Sequence, residues 1–296
     1  MKKHRLTFVA AALTIIIAAC SKNDDTSTPG PDPDFAAPLF HTLAVNGVPT
    51  DSFEYKGGKL VKLWNREPGA VAYTQYYEFI YENNKASGYN VYILDGGNYR
   101  LQTKGTSQIT GDKVKIYTED YGPGGIKLKT DFSEALLNTS KQIIRAGSLD
   151  TIQVNDHAMG PHQIVRYQQY TYDQHTLKSI YTHYYRSDTK WSHASQNSWQ
   201  STLEHSNIRN NMYFLVAYDP VLKLFLSRHS VFLTGPTALT SYSISKDNGP
   251  AVTTTYTYTY NGNSQWTEMI INTPAMDGLP ATTTKFTATY IPVTLN

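Results

Sequence analysis

Cysteine is almost missing from this chain of 296 residues, which has one, Cys20. A single thiol cannot close an intrachain disulfide or build a zinc–cysteine cluster. Charge is also scarce, at 17% of residues against the usual ~25%. Such low charge argues against disorder in the body of the chain. The few Lys and Arg residues form no stripe, so nothing is set up to neutralise a phosphate backbone, and nucleic acid is not an expected partner. Long apolar runs are lacking too. The longest, Leu6 to Ala19, spans 14 residues, short of the ~20 that cross a bilayer as a helix. Reaction motifs are equally thin. There is no Gly-x-Ser-x-Gly nucleophile elbow. Gly122-Pro123-Gly124-Gly125 lacks the lysine of a phosphate loop and reads as a hairpin turn.

What the chain does have begins at its N-terminus. Lys2, Lys3, His4 and Arg5 precede the apolar run, which closes on Ile17-Ala18-Ala19-Cys20. This is a cationic region, a short apolar region and a small-residue cleavage site. It resembles a bacterial lipoprotein signal. The resemblance implies cleavage before Cys20, lipid on its sulfur, and 277 residues in the mature protein (20 to 296). Losing Lys2, Lys3 and Arg5 takes the formal charge from +2 to −1, and no thiol is left for chemistry. Residues 21–38 are rich in Pro, Asp, Ser and Thr without periodicity, and read as an extended tether. Their start, Ser21-Lys22-Asn23-Asp24-Asp25, resembles the acidic export signal of surface lipoproteins of Bacteroidota, which implies an outer-membrane and cell-surface position. The alternative is a solvated linker.

From residue 39 to 296 we expect a single all-β domain. Tyrosine is abundant, 23 residues, and aromatics make up 12% of the chain. The dominant pattern has a period of two. In Thr253-Thr254-Thr255-Tyr256-Thr257-Tyr258-Thr259-Tyr260 the tyrosines must share one strand face. Tyr73, Tyr77, Phe79 and Tyr81 do the same, with Tyr76 and Ile80 opposite. Strand-like runs also cover Lys59–Trp64, Tyr89–Leu94, Lys113–Thr118, Ile164–Tyr172, Ser179–Tyr185, Met212–Tyr218, Leu222–Phe232, Gln265–Ile271 and Thr283–Ile291. Turn signals such as Gly57-Gly58, Asn83-Asn84 and Asp219-Pro220 separate them. Short strands joined by tight turns predict antiparallel hairpins. Two stretches break the pattern. Asp131-x-x-Glu134 in Thr130 to Gly147 reads as the cap of a short helix, and polar Ser187 to Asn211 reads as a long connection.

Four segments share an aromatic-x-Tyr, a polar turn and an apolar return: Phe53-x-Tyr55, Phe79-x-Tyr81, Tyr170-x-Tyr172 and Tyr258-x-Tyr260. They resemble envelope lipoproteins of unknown function from Bacteroidota with Tyr-x-Tyr-Asp-like hairpins, which are similar in turn to the tyrosine–aspartate (YD) repeats of secreted toxins. Only Tyr172 is followed by Asp. The resemblance implies a hairpin meander forming a curved sheet, a porin-like open half-barrel or a sandwich, with at most one or two short helices. It brings no catalytic residue.

Asp156-His157 and His162 gather two imidazoles and a carboxylate, but at a spacing that fits no paired ligand set; no metal and no cofactor is expected. Glu119 and Asp120 are adjacent, so on a strand they point to opposite faces and cannot flank one glycosidic bond. Aromatic rings on both faces of a strand are either cross-strand pairs that simply stabilise a one-layer sheet or platforms for sugars or proteins; on the second reading Trp191, Trp199, Tyr181 and Tyr185 are the candidate ligand-binding aromatics. The expected function is a lipid-anchored envelope protein that binds a glycan or an envelope protein without catalysis. An envelope enzyme acting on polysaccharide is the alternative.

Overall fold

In the computed structural model the described residues are 39–67, 69–156, 160–188, 193–217, 219–226, 233–262, 265–275 and 279–291. Cys20 and the segment 21–25 lie outside them, as do His157 and Trp191. Alternation with a period of two turns into sixteen strands. The first eight are β1 (Leu39–Val45), β2 (Val48–Lys56), β3 (Lys59–Asn65), β4 (Gln75–Glu82), β5 (Lys85–Asp95), β6 (Asn98–Thr110), β7 (Lys113–Tyr121) and β8 (Lys127–Leu137). The rest are β9 (Ile143–Asp156), β10 (Gly160–Asp173), β11 (Thr176–Asp188), β12 (His193–Arg209), β13 (Thr237–Lys246), β14 (Val252–Tyr260), β15 (Trp266–Thr273) and β16 (Thr282–Ile291). Each pairs antiparallel with its sequence neighbours, and β1 pairs with β16. The sheet is therefore a closed barrel and not a half-barrel, an open curved sheet or a sandwich. Closure removes the two edges that an open meander would leave unpaired.

Two segments expected as strands, Met212–Tyr218 and the start of Leu222–Phe232, are not strands. The connection 210–236 folds into a 3-10 turn (Tyr213–Leu215) and one short helix, α1 (Pro220–Phe225). Asp219-Pro220 is a helix start: the Asp219 carboxylate accepts from Leu222 N at 2.9 Å, and Pro220 occupies the first turn, where its missing N–H costs nothing. Residues 227–232 lie outside the described set. Conversely, Thr130 to Gly147 is no helix. Asp131 and Glu134 sit in β8, where Asp131 pairs with Lys129 and Glu134 lies opposite Lys115. The turn to β9 is held by Asn138, whose side chain accepts from Gln142 N at 2.9 Å. Ser187 to Asn211 is mostly the long strand β12. Its polar residues alternate: Ser198, Gln200, Thr202 and Glu204 take one face while Trp199, Ser201 and Leu203 take the other.

Residues directly opposite each other in an antiparallel pair share a face, so the register sorts inside from outside. The inner row Phe53–Leu63–Tyr77–Val91 runs across β2 to β5, and Phe53, Leu63 and Val91 are buried. Opposite the seam, Tyr258–Met269–Phe286 continues it. The described residues of segment 210–236 pack into the lumen between these walls. Met212, Val216, Val221, Leu222, Leu226 and Leu233 join Phe40, Phe53 and Trp266 in one core cluster. The plug is pinned on both sides. Ala86 N in β5 donates to Asp219 at 2.7 Å and the Tyr89 ring lies 4.5 Å from Phe225. Across the barrel, Leu177 N in β11 donates to Thr234 O at 2.8 Å.

The tyrosines before the turns line this plugged end. Tyr81 donates its hydroxyl to Leu60 O at 2.7 Å and Tyr172 to Ile143 O at 2.9 Å, each reaching the first residues of the preceding strand. Tyr290 does the same to Trp266 O at 2.7 Å. These three phenols are thus satisfied without leaving the wall, whereas the hydroxyls of Tyr55 and Tyr260 are buried without a hydrogen-bond partner among the described residues.

Candidate functional site

The outer face of the barrel carries a belt of charge. Register links Glu54–Lys62–Glu78–Asn90–Lys104–Glu119 across six consecutive strands, β2 to β7. Charges of opposite sign lie opposite each other, which stabilises each cross-strand pair by a few tenths of a kcal/mol to ~1 kcal/mol. On the far side the outer row is Glu204–Ser241–Thr255–Asn272–Thr283, and Lys285 pairs with Glu268. Thr253, Thr255, Thr257 and Thr259 are all exposed while Tyr256, Tyr258 and Tyr260 are not. A membrane-spanning barrel has the reverse pattern, an apolar belt outside and a polar lumen, and a Lys or Arg at mid-bilayer costs it ~2–4 kcal/mol. Sixteen strands are enough for an aqueous channel, but here the apolar side chains of Met212, Val216, Leu222 and Leu226 occupy part of the lumen and charged rows run along the outer wall.

One register row along from the charge belt, the outer face turns aromatic. Trp64, Tyr76 and Tyr92 lie opposite one another on β3, β4 and β5. Their rings make a ladder: Trp64 to Tyr76 at 4.5 Å, and Tyr76 to Tyr92 at 4.6 Å, stacked. Tyr99 closes it edge-on, 5.1 Å from Tyr76 and 5.6 Å from Trp64, and Tyr73 lies 6.2 Å from Trp64. Polar groups rim the ladder. Lys62 Nζ sits 5.6 Å from the Trp64 ring centroid and 5.2 Å from that of Tyr76, a cation–π arrangement. Trp64 Nε1 donates to Glu54, and Asn90 donates to Glu78 at 3.4 Å. Desolvation, followed by the charges of neighbouring groups, raises the Tyr76 hydroxyl above the ordinary tyrosine value, so the ring is neutral at physiological pH.

The candidate aromatics named from the sequence fall in two places. Tyr181 and Tyr185 are on the outer face of β11, where Tyr181 lies 6.3 Å from Tyr167 and 6.4 Å from His183. Trp199 lies opposite Thr182 and Lys246 on the inner face. A wall separates them, so Trp199 and the two tyrosines do not form one site, and Trp191 is outside the described residues. The Trp64 ladder had a sequence signal in Tyr76, which alternation places opposite Tyr77 and Phe79. What sequence could not show was that three strands align their outward rings in one row.

The adjacent carboxylates Glu119 and Asp120 do not form an acid–base pair. Glu119 faces outward and pairs with Lys127, while Asp120 faces inward and accepts from Thr103 at 2.8 Å, the split that adjacency requires. Among the described residues no three His, Cys, Asp or Glu side chains cluster to hold a metal ion.

No protein-family model matches the sequence, and neither does any curated protein. Among solved structures, a porin-like protein from Bacteroides vulgatus ATCC 8482 is similar at 11% identity and TM-score 0.40, covering 86% of this chain and 100% of the other. A porin-like protein from Bacteroides uniformis ATCC 8492 shows 12% identity and TM-score 0.34, with 85% and 98% covered. A protein of unknown function from Bacteroides fragilis NCTC 9343 shows 8% and 0.24, with 53% and 88% covered. At these scores the likenesses carry no functional weight.

Proposed function

We propose that this protein is a water-facing, plugged β-barrel of the cell envelope, tethered to the outer membrane by lipid on Cys20, which binds a glycan without catalysis on the Trp64–Tyr76–Tyr92–Tyr99 ladder. The observation that carries the reading is the ladder itself, a row of outward rings in contact with one another beside the charged belt. The outward side of this aromatic row is an apolar surface for the C–H side of a pyranose, while Glu54, Glu78, Asn90 and Lys62 beside it can bond its hydroxyls. The charged outer belt supports a tether in place of membrane insertion. The short apolar run ending at Cys20 supplies the tether by its resemblance to a lipoprotein signal. An array of neutral and acidic oligosaccharides, followed by calorimetric titration, tests the binding. Trp64→Ala is expected to weaken the best glycan about tenfold, the effect of losing ~1–1.5 kcal/mol, with little change in thermal stability. An array without hits, or full affinity in Trp64→Ala, would count against the reading. Loss of lipid labelling in Cys20→Ala checks the tether separately.

A further inference from the structure

Between the plug and the β9–β14 side of the barrel lies a cavity of about 480 Å³, within the range of small-molecule sites. Its walls are apolar: Ile180, Leu203 and Leu239 from the strands, Leu224 from α1, with Tyr256 across from them. Three polar side chains reach it, and two already have partners. Gln168 accepts from Tyr170 at 2.8 Å and donates to Thr182 at 3.3 Å, and the Thr234 hydroxyl lies 3.0 Å from His205 Nε2. The wall hydroxyls are engaged as well, Tyr172 with Ile143 O and Tyr242 with Ser201.

Lys223 is the exception. Its ammonium lies 5.5 Å from the Tyr172 ring and 5.8 Å from that of Tyr213. Among the described residues it makes no ion pair. On α1 it lines a chamber whose other walls are mostly apolar. Burial pushes it down to about 8, so at neutral pH it still carries its charge. Buried charges are normally paired.

We propose that this lumenal cavity binds a small amphiphile with an apolar body and a single carboxylate, the carboxylate seated on Lys223 and the body against Leu203, Leu224 and Leu239. This site is inside the barrel and independent of the outer aromatic ladder.

The test uses dodecanoate as the probe and dodecanol as its neutral counterpart, with the mature chain carrying Cys20→Ser so that no attached acyl group competes. Calorimetry should show one dodecanoate per chain with Kd in the micromolar range. Lys223→Met should weaken dodecanoate about tenfold or more, the effect of losing a charge-assisted contact, while dodecanol binding stays as it was. Leu203→Trp, which fills the chamber, should abolish both, and Ile180→Phe serves in its place if that variant does not fold. Trp64→Ala should change neither. Absence of dodecanoate binding to the folded parent, equal dodecanoate affinity in Lys223→Met, or binding that survives both filling variants would each overturn the proposal.

Discussion

Lys223 is held in its chamber at a cost. An unfolded chain keeps this proton up to about 10.5, whereas the folded protein releases it near 8. Between those values the unfolded state binds more protons, so stability rises with pH across the window. Below about 8 the full penalty is present, on the order of 3 kcal/mol. Lys223→Met should therefore unfold at higher temperature or urea concentration than the parent at pH 7. The advantage should shrink above about 8 and disappear near 10.5. A variant less stable than the parent at pH 7 would mean that the ammonium is well compensated where it sits. The same residue thus loses stability in the empty protein and supplies the charge that an anionic guest would meet.

The plug and the wall are fitted to each other through one missing side chain. Gly105 of β6 lies opposite Tyr89 of β5, and a Cβ built on Gly105 would run into the Tyr89 ring. The bare glycine lets that ring lie flat along the wall and meet Phe225 of α1 at 4.5 Å. Desolvation, the largest influence, raises the Tyr89 hydroxyl to about 12, as expected of a phenol held against the core. Gly105→Val would suit a strand by propensity but would evict the ring, and overpacking of this kind costs about 1–3 kcal/mol. The expected result is a lower melting temperature. An unchanged one would mean that Tyr89 is not what couples β5 to the plug. Gly147 has a related role in β9. Its φ of +88° and the backbone of Arg166 beside it leave no room for a side chain where the register slips against β10.

Across the whole molecule the two faces of the wall differ in polarity. A closed barrel of sixteen strands invites comparison with a pore, but alternating charge on β2 to β7 faces outward and the plug occupies the lumen. The mature chain carrying Cys20→Ser is expected to stay in solution without detergent, and added to a planar bilayer it should open no conductance steps. Stepwise conductance would overturn the water-facing assignment, and with it the need for a lipid tether. Inside, polarity is graded. The inner row that reads Phe53–Leu63–Tyr77–Val91 continues on the next strands as Thr103, Asp120 and Lys129. One side of the lumen is therefore core and the other is polar wall. The cavity lies next to the plug, between α1 and the β9–β14 wall.

The sequence alone determined the strand class, most of the hairpins, and the division of each strand into two faces. Thr253 to Tyr260 could be nothing but a two-faced strand, and Glu119 and Asp120 had to part company, because side-chain alternation is a local property of the backbone. The sequence also held a trace of the outer ladder in Tyr76, set against Tyr77 and Phe79. Three things were decided only in three dimensions. Closure depends on β1 meeting β16, an encounter between the two ends of the described chain that no local pattern encodes. The choice between strand and helix in 210–236 could not be made from a short apolar run, which satisfies both periods; the lumen decided it, by offering a core to fill where a strand would have had no partner. Last, alternation says that two faces differ without saying which is inside. Only the packing of Phe40, Trp266 and Met212 around one centre turned the tyrosines of β14 inward and its threonines outward.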